Sequence, residues 1–293
     1  MQKTAEIKAL ISLLDDPDEN IYNSIEQKLI SYGNDVIINL EEAWQQNEDP
    51  LFQERVENII HRLQYDQVKI QLHKWAIEGG QDLLQGAILL SRYFYPTLDL
   101  SQILTPLQQI RTYIWLEFNN SLSASESVNI INHHLFGKYH LQGEVNFMQD
   151  VTLCFLNKLL QSHKGNPYSL SLLYLIIAQQ LHLPIYGVNL FAHFILCYTN
   201  EEIKDFTVSN KNKIIFYINP FNKGDLFNKS EIDKYLQRID KNAMPEYYEP
   251  CNNVETMYAY IKHILFNFEL NQMNDKAKEM RELLQILDEF RQI

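Results

Sequence analysis

The sequence predicts a mostly helical α+β protein: an N-terminal helical repeat-like stack, a core with a small antiparallel sheet, and a C-terminal helical hairpin. Three observations carry that expectation. Asp-Pro and Asn-Pro pairs recur just ahead of apolar stripes with helical spacing. One helix, over 167–181, is apolar on nearly every side and so belongs at the centre of its domain. Near residues 185–220 the period shortens to β-rich runs, "HFILCY" and "KIIFYI", with a turn-like "SNKNK" between them.

The elements follow in order. In "DDPDENIYNSIEQKLISYG", Asp16 is the expected N-cap, Pro17 the first helical residue and Glu19 its partner three after the cap. Ile21, Ile25 and Leu29 form the stripe, and Gly33 is a natural stop. Asp49-Pro50 repeats the start, and Val56, Ile59, Ile60 and Leu63 repeat the stripe. Two such units suggest a short HEAT-like stack. Further helices are expected over about 67–78, 81–94 and 106–119, the last opening at Thr105-Pro106. Ser123 and Glu126 form a capping-box pattern for a helix that stops at Gly137. A loop over 138–149 precedes a helix to about His163 that ends at Gly165. "NPFNKGDLF" reads as a turn, Asn228 with Glu231 opens another helix, and 253–290 holds two helices broken near Asn271–Asn274. The expected domains are 1–100, 101–245 and 246–293.

Composition bounds the function. The chain has 293 residues, 46% hydrophobic and 21% charged, which suits a globular protein. Its net charge is −12, and no Lys/Arg run exceeds two residues, so a phosphate-binding face is not expected. No apolar run reaches the roughly 20 residues of a membrane span, and the first residues do not read as a signal peptide. Cys154, Cys197 and Cys251 are odd in number and lack zinc spacing, so reduced cytoplasmic thiols are expected.

The stretch "GNPYSLSLLYLIIAQQLHLPIYGVNLFAHFIL" concentrates the chemistry. Asn166 caps a helix opening at Pro167, whose N-terminus carries free N–H groups and a positive partial charge. His193 heads a strand and shares a face with Ile195 and Cys197. Cys197 is four residues away, about 13 Å at roughly 3.3 Å per residue, far beyond the ~3 Å that a Cys–His pair needs. Taken alone, the helix reads as a core helix and His193 as a structural histidine.

The same stretch resembles the core motif of the transglutaminase-like superfamily, and most closely its SirB-type bacterial regulator branch. Gly165, Asn166, Pro167, Ser169, Leu170, Leu173, Tyr174, Leu183, Pro184, Gly187, Val188, Asn189, His193 and Phe194 match that pattern. Pro220, Phe221 and Gly224 match a later segment, and the resemblance covers roughly 85–290. It implies a transglutaminase/papain-like core with tetratricopeptide-like helices after it. The superfamily's Cys-His-Asp triad falls on Pro167, His193 and Asn219, counting back from Pro184 for the first. Proline has no thiol, hydroxyl or ionisable group. An amide at the third position stabilises imidazolium less than a carboxylate does. Phe191-Ala192 replaces the usual Pro-Gly before the histidine.

The resemblance therefore implies a non-catalytic binding, regulatory or scaffold module with no catalytic residues. Its expected cleft carries Asn166, Ser169, Asn189, His193 and Asn219 between the helix start and the strand. The expected partner is a protein or peptide; nucleic acid, membrane, metal and cofactor are not expected. The competing expectation is a cysteine- or serine-type amide hydrolase or acyl transferase, using Ser169 or a displaced Cys154 with His193. A thiol or hydroxyl within about 3–4 Å of the His193 ring would favour it.

Overall fold

A computed structural model describes residues 2–119, 121–190 and 193–291, which fall into two compact units, Met1–Gln71 and Leu72–Ile293. The described residues are mostly helical, with small sheets. The division lies inside the fourth helix. The helices over 83–117 and after 253 pack on the mixed core.

The first unit holds α1 (Gln2–Ile11), α2 (Glu19–Ser31), α3 (Ile37–Gln46) and most of α4 (Pro50–Ile77). Leu14, Leu29, Val36, Leu40, Val56 and Ile59 form its dry centre. Each such side chain contributes on the order of 1.5–3 kcal/mol by leaving water. Ile21, expected in the stripe, is exposed. The α2 cap is Asp18, which accepts from Asn20 N at 2.8 Å, and not Asp16. Asp16 instead turns the chain by accepting from Asp18 N, while its carbonyl accepts from the buried Arg55 guanidinium at 2.6 Å. Arg55 also donates to the Leu14 carbonyl and pairs with Glu19 at 2.7 Å. Asp49 does cap α4, accepting from Phe52 N at 2.9 Å, so the two Asp-Pro pairs are not structurally equivalent. From Leu51 to Ile77 there is no glycine or proline, and α4 runs through where two helices are expected.

The second unit opens with α5 (Leu83–Phe94), capped by Asp82, and α6 (Ser101–Glu117). α6 begins five residues before Pro106 because Asp99 accepts from Ser101 N at 2.9 Å, which starts the helix there. Pro106 then lacks one bond near the beginning, a tolerable place. α7 (Ala124–Asn132) starts at the expected Ser123/Glu126 capping box and runs on into a π-helical turn, His133–Lys138. β1 (Gln142–Gly143) pairs in parallel with β2 (Lys164–Gly165). Between them lies α8 (Leu156–Ser162), which ends on His163 in the left-handed region, φ 61°, rather than at Gly165. Gly165 answers a different need: a Cβ there would meet Leu159 and the Ser169 hydroxyl at 2.8 Å.

α9 (Pro167–Gln180) is buried along nearly its whole length, as its all-round apolar sequence requires. It leads into the sheet: β3 (Ile185–Leu190), β4 (His193–Thr199), β5 (Ile214–Asn219) and β6 (Asp225–Phe227), antiparallel in sequence order. α10 (Lys229–Arg238) follows with the Asn228/Glu231 capping box. α11 (Asn253–Leu270) and α12 (Asn274–Asp288) are broken where expected and pack along each other.

The two faces of the sheet are covered differently. Phe194 faces α9, where Ser171 donates to its carbonyl at 3.0 Å and the Tyr168 ring stacks on it. Ile195, Cys197, Val188 and Tyr217 face α10, packing with Ile232 and Leu236. That alternation decides where His193 points. Among the described residues, no helix is long and apolar enough to cross a membrane.

Candidate functional site

The start of α9 is a closed polar knot. The Asn166 carboxamide oxygen accepts from Tyr168 N at 2.9 Å and Ser169 N at 2.8 Å. Ser169 Oγ returns the bond by accepting from Asn166 N at 3.0 Å. Two of the free helix-start donors are thereby consumed by the chain itself, and so is the Ser169 hydroxyl. Because the Asn166 oxygen is fixed as acceptor, its amide nitrogen must donate. It donates to Cys154 Sγ and to His263 Nε2 on α11, each at 3.1 Å.

His263 Nε2 is therefore an acceptor, which assigns the neutral Nδ1–H tautomer. Asn267, one turn on, also donates to Nε2 at 3.1 Å. The ring stacks on Tyr168 at 4.1 Å, and Phe147 leans over it at 5.9 Å. Burial pushes His263 down to about 4 and the Cys154 thiol up to about 12. Both shifts oppose moving a proton from this thiol to this imidazole. The arrangement holds a helix start together and does not make a thiolate.

Pro167 lies buried at the first position of α9. His193 lies on the other side of the sheet, sharing the α10 face with Ile195 and Cys197. The Tyr235 ring meets its imidazole edge-on at 5.3 Å, and burial lowers its pKa. Among the described residues, no hydrogen bond reaches the His193 ring. Asn219 shares this face, and its Oδ1 accepts from Asn222 N at 3.4 Å. Asn189 pairs with Phe194 on the opposite face and is exposed.

The structure thus brings His193 and Asn219 into one groove. It sets Asn166, Ser169 and Cys154 together in the knot, and leaves Asn189 apart from both. The groove has a volume of about 500 Å³ and includes Tyr235, Arg238, Asp225 and Glu231; among the described residues it is lined by no serine, threonine or cysteine. Phe191 and Ala192, which replace the usual Pro-Gly, lie outside the described residues.

Residues 101–259 match the profile of the transglutaminase-like superfamily. The chain belongs to the transglutaminase-like superfamily. The region of this transglutaminase-like chain that matches runs from α6 into α11 and contains the groove and the Cys154, Asn166 and Ser169 part of the knot, while His263 and Asn267 lie beyond it. The chain is also similar to a UPF0162 protein of Xylella fastidiosa strain Temecula1, with 28% identity over 114 residues, 39% of this chain and 41% of the relative. A UPF0162 protein of strain 9a5c matches with the same identity and coverage. The chain thus spans about two fifths of the length of these curated relatives. No solved structure matches it.

His263 and Asn267 escaped the sequence reading. The available signal was a polar pair spaced one turn apart on a helix whose other inward positions, such as Met257, Ile264 and Phe268, are apolar. Arg238 and Asp225 carry no local signal, because exposed charges on an amphipathic helix and a turn are ordinary, and Glu231 signals only the start of α10.

Proposed function

We propose that this chain is a non-catalytic transglutaminase-like protein that acts as a binding or regulatory module. The observation that supports this most is the pairing of absences at the two triad positions. Pro167 stands where the nucleophile belongs, and the His193 imidazole faces Tyr235 in a groove whose described lining holds no serine, threonine or cysteine. We assign it to the SirB-type branch on the residues quoted above. The N-terminal helices are proposed as a HEAT-like surface, and α11 with α12 as a tetratricopeptide-like hairpin. The proposed partner is a protein or peptide, met in the cytoplasm, with the His193–Asn219 groove as its seat.

One observation favours a second reading, an amide hydrolase using Cys154. Its sulfur and His263 Nε2 both contact the Asn166 amide nitrogen at 3.1 Å. The burial of both groups and their opposite pKa shifts weigh against it. Turnover assays on peptide amides and esters separate the two readings. The binding-module reading expects identical background rates for wild type, His193→Ala and Cys154→Ala. Saturable turnover that either substitution abolishes would establish an enzyme.

A further inference from the structure

We propose that the groove between the sheet and α10 takes a short extended peptide with both ends free, about three residues long, its ammonium toward Asp225 and Glu231 and its carboxylate toward Arg238. The proposal deepens the binding reading above and rests on it. The groove is charged oppositely at its two ends. Asp225 lies on β6 and Glu231 in the first turn of α10, and both line the groove. Arg238 closes the same helix seven residues later. At ~1.5 Å per residue, that is about 10 Å along the helix. An extended peptide advances ~3.4 Å per residue, so three residues bridge the charges.

The charges are available to a ligand. Asp225 accepts from the Asn222 amide, and Glu231 accepts from Asn228 N, each through one carboxylate oxygen. Among the described residues, neither carboxylate has a cationic partner and Arg238 has no ion pair. The groove also has an apolar floor and the polar side chains of His193, Asn219 and Tyr235. Leu190, Ile195 and Ile232 form that floor, on which a middle aliphatic side chain would leave water. The half-buried His193 ring, without a hydrogen bond among the described residues, faces the same space and can meet a peptide amide. A volume of about 500 Å³ suits a ligand of this size. A singly charged ligand satisfies one end and leaves the other unanswered, which is why the dipolar form is favoured.

The test is calorimetric titration of the full chain with Ala-Leu-Ala in four forms: free-ended, N-acetylated, C-amidated and blocked at both ends. The free-ended form is expected to bind about tenfold more tightly than either singly blocked form, the size of one lost charge contact. Arg238→Gln should then erase the preference for carboxylate over amide, and Asp225→Asn should shrink the preference for ammonium over acetyl. Both residues are exposed, so neither substitution threatens the fold. Equal affinity for all four forms, still weakened by His193→Ala, overturns recognition of the ends while peptide binding in the groove stands. No saturable binding of any form overturns the proposal, and the turnover assay then judges the non-catalytic reading by itself.

Discussion

Asn166 on α9 donates to His263 on α11 across 97 residues of sequence, at 3.1 Å. The same amide nitrogen reaches Cys154, so one side chain ties a helix start to two other parts of the chain. At the start of α9, this chain has built a structural junction.

Asn166→Ala removes that junction. The loss of a cap costs about 1 kcal/mol, and leaving buried polar partners unmade costs about 1–3 more. Urea unfolding should show a destabilisation of about 2–4 kcal/mol with an unchanged slope. A change under 1 kcal/mol would mean that the knot carries little of the stability.

The pH dependence has a definite sign. His263 titrates near 4 when folded, against about 6.5 when unfolded. The unfolded chain therefore binds the proton first as pH falls. The contribution is fully present above about 6.5 and is lost as pH drops toward 4, by at most about 3 kcal/mol. The lowered His193 acts in the same direction. Stability measured from pH 7 to 4 should fall less steeply in His263→Gln than in the wild type, while equal slopes would remove His263 from the account.

Arg55 is nearly buried, and its guanidinium satisfies two carbonyls and Glu19. Arg55→Ala strands those carbonyls, and a loss of about 3 kcal/mol is expected. Amide exchange should localise the loss to the first unit, with protection speeding up around Leu14–Asp18. Unchanged exchange there would contradict the role given to Arg55.

Cys154 should resist alkylation. With its thiol buried and pushed up to about 12, the native chain at neutral pH holds almost no thiolate at that position. Iodoacetamide followed by peptide mapping should modify Cys154 only after denaturation. Rapid native modification would put an accessible, activated thiol beside α9.

Much of the fold was legible because its signals are local. Asn166-Pro167, Ser123/Glu126 and Asn228/Glu231 each satisfy helix-start donors within four residues, and all three helices begin there. Asp16 misled because its carbonyl is claimed by Arg55, a contact 39 residues away. Pro106 misled because Asp99 starts α6 before the proline is reached. For the site, the motif located the residues but not their facing. Strand alternation puts His193 with Ile195 and Phe194 with α9, yet only the packing shows which set meets which helix. His263 arrives from α11, 97 residues from Asn166, and only its one-turn spacing from Asn267 marks it in the sequence.

On the proposed non-catalytic reading, no residue of this chain serves as an acyl-transfer nucleophile. Intact-mass analysis after incubation with thiol- and hydroxyl-directed peptide acyl probes tests it most directly, using wild type beside His193→Ala, Ser169→Ala and Cys154→Ala. The account predicts no stoichiometric adduct on the native protein in any of them. A single adduct on the wild type, lost on substituting His193 or the labelled residue, would contradict it.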